Sequence, residues 1–193
     1  MFEKQVNHWR RRKRDLGDQA VGRRGEAPAQ QAENLMKHIG FAAGGGFYEH
    51  ALDFGCGWGR FSSLIAEHSG HVWAVDLFED WVARASTGVT TSPVVLKTQK
   101  IPLATGSMDL VVDIMTLQSI DNDRLARDAM HELRRVARPG ATIISIHVNK
   151  PRAPTRTAEQ RATHLGLSNW LQATLTDIDR AKEEYSYLSG VRS

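Results

Sequence analysis

With 193 residues, 41% of them apolar and 24% charged, the chain has the size and balance of one globular domain. Its single cysteine, Cys56, excludes an intramolecular disulfide and a multi-cysteine zinc site, and no metal site is expected. No apolar run approaches the roughly 18 residues of a membrane span, and the opening MFEKQVNHWRRRKRD lacks the apolar stretch of a secretory signal. Glu3, Asp15 and Asp18 argue against a transit peptide, so the expected location is cytoplasmic, without membrane contact.

The formal charge of +3 is unevenly placed. Residues 1–30 hold eight Lys or Arg against four Asp or Glu, while the rest of the chain carries a net −1. This asymmetry divides the chain into a basic N-terminal arm, 1–27, and a near-neutral domain, 28–193.

Beyond the arm, Pro28 and Gly40 bracket a predicted helix, AQQAENLMKHI, and Gly44-Gly45-Gly46 reads as a loop. HALDF is the first predicted strand and runs into GCGWG. A helix, RFSSLIAEH, follows with Gly70 as its expected stop. HVWAVD, SPVVLKT, MDLVVDIM and ATIISIHV are the next strands, and FEDWVARAS is a helix after the first of them. Asp121 or Asn122 caps the most regular helix, whose apolar stripe is Leu125, Ala129, Met130, Leu133 and Val136, with Pro139-Gly140 expected to end it. Thr157 and Gln160 form a capping-box pattern for a helix to about Leu165. WLQATLTDI and EYSYLSGV are two weaker strands, close enough to pair antiparallel. Strands alternating with helices imply a parallel sheet with right-handed crossovers, and ligands in such sheets sit beyond the carboxyl ends of the strands.

Two features at those ends carry chemistry. The glycine cluster is spaced G-x-G-x-G, at Gly55, Gly57 and Gly59, with Arg60 where a dinucleotide-binding turn would place its third glycine. That spacing disfavours a nicotinamide-dependent oxidoreductase. Close backbone approach beside a carboxylate, Asp53, suits a ligand without a phosphate; tight strand–helix packing explains the same glycines without any ligand. One strand–helix unit later Asp76 ends a strand, placed either to accept hydrogen bonds from ribose hydroxyls or to cap the next helix.

Taken together, LDFGCGWGR, AVDLF, IPLATGSMDLVVDIMTLQSI and HELRRVARPGATIIS resemble, in order over residues 50–147, the motifs of class I Rossmann-like methyltransferases. The resemblance implies a three-layer α/β sandwich with a seven-stranded sheet ordered 3-2-1-4-5-7-6 and strand 7 antiparallel. It implies S-adenosylmethionine as cofactor, with S-adenosylhomocysteine as product. Asp53, Gly55, Cys56, Gly57 and Gly59 would line its methionine and ribose portions, Asp76 and Leu77 its ribose, and Ile114 its methionyl end. An acidic residue often follows the third strand in the family to receive the adenine amino group. This chain has Lys97, Thr98 and Gln99 there, and Gln99 is the candidate substitute, since an amide oxygen accepts hydrogen bonds. The Asn/Asp-Pro-Pro-aromatic signature of amino-directed nucleic-acid methyltransferases is absent.

Methyl transfer from a sulfonium is an in-line displacement that needs alignment above all, and a base only where the nucleophile must lose a proton. His147, at the end of the fifth strand, is the candidate base; a histidine filling space at a strand end is the competing reading. His131 and His50 read as solvated and structural. The arm admits three roles: a solvated amphipathic helix, a lid whose arginine meets the cofactor carboxylate, or a nucleic-acid contact through residues 9–14 with Trp9 for stacking. The leading expectation is methylation of a small molecule. An RNA or protein methyltransferase docking through the arm, and a non-catalytic cofactor-binding scaffold, stand as alternatives. Neither the acceptor nor the oligomeric state is encoded in a recognisable motif.

Overall fold

The computed structural model describes residues 2–16, 46–85, 88, 90–120, 122–148, 157–175 and 185–193. The helix expected over AQQAENLMKHI, Gly44-Gly45, and Asp121 lie outside these residues. In chain order the elements are α1 (Phe2–Leu16), β1 (Tyr48–Phe54), α2 (Ser62–Ala66), β2 (Ser69–Asp76), α3 (Glu79–Ala85) and β3 (Thr91–Val95). There follow β4 (Met108–Ile114), a 3-10 turn (Leu117–Ser119), α4 (Asp123–Val136), β5 (Ala137–Val148), α5 (Ala158–Leu165), β6 (Leu167–Leu175) and β7 (Tyr185–Arg192).

The seven strands form one sheet in the order β3-β2-β1-β4-β5-β7-β6. Every pairing among β1 to β5 is parallel, and β7 runs antiparallel to both β5 and β6. The expected topology is therefore the observed one. Strand β4 shows why it is central. Its Val111 packs into the core on one face of the sheet, and its Leu110, Val112 and Ile114 pack into the core on the other. A strand apolar on both faces belongs in the interior of a parallel sheet covered by helices. Helix α4 supplies one cover through Leu125, Ala126, Met130, Leu133 and Val136, all buried. Asn122, not Asp121, is its cap: the side chain accepts from Leu125 N.

Two expected stops fall elsewhere. Helix α2 ends at Ala66, and Gly70 lies inside β2, where an added Cβ would stand 3.1 Å from the Glu49 carbonyl oxygen. Helix α4 ends at Val136, and Pro139-Gly140 sit in the first part of β5. There the β4–β5 register shifts: Met108 faces Ala137, but Leu110 faces Thr142. Gly140, at φ +82, allows the irregularity. Asp109 fixes it, pairing with the Arg138 guanidinium through one oxygen and accepting His50 N at 2.8 Å through the other. The Thr157–Gln160 capping box of α5 forms as expected, and Gly166 closes that helix at φ +66.

Helix α1 carries no fully buried residue, yet it is anchored on one side. Phe2 packs against the main core, Gln5 Nε2 donates to Ser119 O at 2.9 Å, and Lys13 forms an ion pair with Asp80. No helix among the described residues is long and apolar enough to cross a membrane.

Candidate active site

The carboxyl ends of β1, β2 and β4 open onto one cavity of about 630 Å3, within the range usual for small-molecule sites. Its floor is the turn after β1. Gly55, Gly57 and Gly59 have φ of +75, +54 and +78, a region costly for any side chain but hydrogen. Two of these glycines also have a packing reason: a Cβ on Gly55 would stand 2.2 Å from Thr116, and one on Gly59 would stand 2.5 Å from the Ala85 backbone. Gly57 instead turns its N–H to Asp76 Oδ2, at 2.9 Å.

Asp76 thus braces the glycine turn. Its other oxygen accepts Leu77 N at 2.5 Å. Burial raises its carboxyl above the ordinary range, and the N–H groups of Gly57, Leu77 and Phe78 and the charge of Lys13 oppose that shift. A carboxylate offers about four acceptor positions, so room remains for a ligand hydroxyl.

Asp53 is buried at the end of β1, where Ser62 Oγ donates to it at 2.6 Å. Burial pushes its carboxyl up to about 7; the Ser62 bond opposes this, and the charges of Asp76 and Asp113 add to it. The neighbouring Cys56 thiol is buried and held in its neutral form. Two acidic groups enclosed together, neither in an ion pair among the described residues, make a floor suited to a cation.

The cavity brings together every cofactor candidate. Asp53, Gly55, Cys56, Gly57 and Gly59 line it from the glycine turn, Asp76 and Leu77 from β2, Gln99 from the segment after β3, and Ile114 from β4. Leu96 and Ile101 complete an apolar slot beside Gln99. His147 is different. It does not line the cavity, is 3% exposed, and sits beneath the wall with Nε2 3.0 Å from Asp113 Oδ2. Ser145 Oγ donates to the same oxygen at 2.7 Å.

Several lining groups stand outside the cofactor candidates. Helix α1 contributes Phe2, Gln5, Trp9 and Arg12, and the segment after β4 contributes Met115, Thr116, Gln118 and Ser119. Trp9 meets Trp81 edge to face, centroids 6.5 Å apart, and carries the Arg12 guanidinium 5.2 Å above its ring. Met115 is left-handed, φ 61, with its N–H bonded to Ile146 O. Asp113 holds that turn by accepting Thr116 N at 3.1 Å and Leu117 N at 3.0 Å. The sequence signal was an acid inside the otherwise apolar run LVVDIM. Glu132 also reaches the wall, although it serves Arg135 and Ile101 N.

Comparison with known proteins agrees with this geometry. A model of the methyltransferase domain matches residues 52–145, spanning the glycine turn to β5. Residues 52–145 match a methyltransferase domain, and the sheet has the strand order of the class I, Rossmann-like fold. Among curated proteins none matches. Solved structures share the fold at low identity. The N-methyltransferase NodS from Bradyrhizobium japonicum, in complex with S-adenosylhomocysteine, aligns with TM-score 0.68 and 15% identity over 88% of this chain and 89% of its own. A 1,6-didemethyltoxoflavin N1-methyltransferase from Burkholderia thailandensis aligns with TM-score 0.67 and 16% identity, over 88% and 80%. The 4+2-cyclase SpnF aligns equally well, TM-score 0.67 and 15% identity over 87% and 85%. At such identities these likenesses describe the fold alone.

The residues of the methyltransferase cavity fit its cofactor. The sulfonium and ammonium charges match the enclosed Asp53 and Asp76, ribose hydroxyls match the spare acceptor capacity of Asp76, and adenine matches the slot of Leu77, Leu96 and Ile101. Gln99 and Thr98 add polar groups to the same lining.

Proposed function

We propose that the domain transfers the cofactor's methyl group to a small molecule by in-line displacement, beneath a lid formed by the N-terminal arm. One observation carries this reading: the cofactor candidates and four residues of α1 enclose the same cavity of about 630 Å3. When bound, the cofactor supplies the activated methyl group and its leaving group. The protein's part is alignment and exclusion of water.

In this reading the floor residues hold the cofactor. Gly57 N–H and Asp76 fix the turn under its ribose, Asp53 faces its positive charge, and Ile114 borders its methionyl end. Helix α1 covers the opening through Phe2 and Trp9. Gln5 ties the lid to the segment after β4, and Lys13 ties it to α3. The lid role for residues 1–27 rests on the described part, 2–16.

His147 is assigned to positioning instead of proton transfer. It lies behind the wall, and through Asp113 it supports the turn that presents Met115, Thr116 and Ser119. The nucleic-acid reading loses its stacking residue, because Trp9 faces the cavity, although Arg10, Arg11 and Arg14 remain exposed.

Calorimetric titration with S-adenosylmethionine and S-adenosylhomocysteine, on the wild type and Asp76→Ala, tests the proposal. Saturable binding that weakens by about tenfold or more in the variant is expected, the size of a lost hydrogen bond to a charged group. A folded wild type that binds neither ligand sinks it.

A further inference from the structure

We infer that Asp53 takes up the proton that methyl transfer releases: it is a carboxylate opposite the sulfonium cofactor and a carboxylic acid opposite the thioether product. This rests on the methyltransferase reading above and adds a proton-accepting residue to it.

The first ground is where the chain places this acid. Asp53 is 2% exposed near the end of β1, in register with Ala74 of β2 and Val112 of β4. Ala51, on the same face of the strand, packs with Val112 in an apolar cluster. Asp53 nevertheless lines the cavity, beside the glycine turn where the cofactor candidates meet. A charge in such surroundings is costly unless an opposite charge meets it. A cationic sulfur meets it, and a neutral one does not.

The second ground is its partners. Ser62 Oγ donates to Oδ2 at 2.6 Å, and a carboxylate offers about four acceptor positions, so Oδ1 has room for a proton. The Asp76 carboxyl from β2 and the Asp113 carboxyl from β4 both bear on Asp53, and their charges disfavour its ionisation. Cys56, from the glycine turn, is held neutral by burial. The basic groups nearby act at one remove. Lys13 bears on Asp76, Arg161 and His147 stand near Asp113, and Arg60 lines the same cavity. Burial and the two acids bring Asp53 up to about 7, where a change in ligand charge decides its state. Asp76 differs, because the N–H groups of Gly57 and Leu77 favour its ionised form.

The step balances with this residue as its proton acceptor. A lone pair on the acceptor's nitrogen or oxygen forms the bond to the methyl carbon as the C–S bond breaks. The electron pair of that bond passes to sulfur, which becomes a neutral thioether. The N–H or O–H proton of the acceptor ends on Asp53 Oδ1. The positive charge at sulfur and the negative charge on Asp53 therefore disappear together, and no uncompensated charge is left in the enclosed floor. The acceptor required is one whose attacking atom carries a proton.

The test is calorimetric titration of S-adenosylmethionine and S-adenosylhomocysteine at pH 7 in two buffers of different ionisation enthalpy, which counts the protons exchanged on binding. A group titrating near 7 is half protonated there, so S-adenosylmethionine should release about half a proton and S-adenosylhomocysteine should take up about half. Asp53→Asn keeps the side-chain size and an acceptor for Ser62, and in that variant the two ligands should give the same count. Ser62→Ala removes a bond that favours the carboxylate, so release with S-adenosylmethionine should rise towards a whole proton. Equal counts for the two ligands on wild type overturn the inference. So does a difference that survives in Asp53→Asn, since the proton then belongs to another group, and so do unchanged counts in Ser62→Ala. A wild type that binds neither ligand is a separate outcome, and it overturns the methyltransferase reading together with this inference.

Discussion

Asp113 and His147 meet across β4 and β5, with Nε2 3.0 Å from Oδ2, both side chains out of contact with water. The pair stands behind the segment that follows β4, and Asp113 is its common support: one oxygen faces Ser145 and His147, the other receives the N–H groups of Thr116 and Leu117. Arg161, on α5, is also buried near this carboxylate. Burial lowers its guanidinium to about 10, and the charge of Asp113 opposes that shift.

A positioning role makes a particular prediction for His147. His147→Ala leaves a buried carboxylate with one donor fewer, which costs about 1–3 kcal/mol. A fall in Tm of several degrees is expected, with kcat reduced far less than removal of a proton acceptor would require. His147→Gln, which can keep a donor near Asp113, should recover part of the Tm. A loss of kcat beyond about a hundredfold in a folded His147→Ala protein would return this residue to proton transfer.

Gly55 and Thr116 form the second test. A Cβ on Gly55 would collide with the Thr116 side chain at 2.2 Å, and φ of +75 adds backbone strain. Strain of this kind costs on the order of 1–3 kcal/mol, so Gly55→Ala should bind S-adenosylhomocysteine about tenfold or more weakly. Combining it with Thr116→Ala removes the Cγ2 and Oγ1 clashes, but leaves Thr116 Cβ at 2.7 Å from the added carbon. Only partial recovery is expected by calorimetry, with circular dichroism as the check on folding.

The raised carboxyl of Asp53 predicts an inverted pH dependence. An unfolded aspartate titrates near 3.8, whereas Asp53 in the fold titrates near 7. Between those values the folded state holds the extra proton, so the stability of the ligand-free protein falls as pH rises through that window. Asp76 is shifted in the same direction and adds to the trend. Thermal denaturation of the ligand-free protein from pH 5 to pH 8 should show it, and Asp53→Asn should flatten the slope. A cationic ligand favours the ionised form, so S-adenosylmethionine should gain affinity over S-adenosylhomocysteine as pH rises past 7. Equal pH profiles for the two ligands would contradict this.

Contacts of helix α1 separate aromatic packing from charge. The Trp9–Trp81 edge contact is worth about 0.5–1.5 kcal/mol beyond area burial, and Trp9 also covers the cavity. Trp9→Ala should speed dissociation of S-adenosylhomocysteine several-fold, read by stopped-flow fluorescence. Lys13 and Asp80 are 30% and 62% exposed, and surface pairs of this kind contribute about 0–1 kcal/mol. Lys13→Ala should change the same rate by less than twofold. Equal effects would mean that α1 is held by charge instead of by its aromatic contact.

Much of the architecture was legible along the chain because it rests on local rules. The apolar run of β4, the stripe of α4, the Thr157–Gln160 box and the glycine turn each declare their structure within a few residues. The motif order carried the strand order, and the spacing from Gly55 to Asp76 is kept by the β1–β2 crossover that joins Gly57 N–H to the Asp76 carboxylate. The boundary at Pro139-Gly140 was misplaced because a bulge, set by the pairing of Asp109 with Arg138, lets a strand hold residues that locally signal a stop. The destination of His147 was equally hidden. A position at a strand end does not say whether a side chain turns to the ligand or to the layer beneath; Asp113, 34 residues away in sequence, draws it underneath. Trp9 and Arg12 come from a segment far from Arg60, and only the tertiary fold brings all three to the lining of one cavity. Local sequence therefore determined the scaffold and the glycine turn at the cavity. Tertiary contacts decided which residues of α1 line that cavity and where the side chain of His147 points, because those depend on residues far apart along the chain.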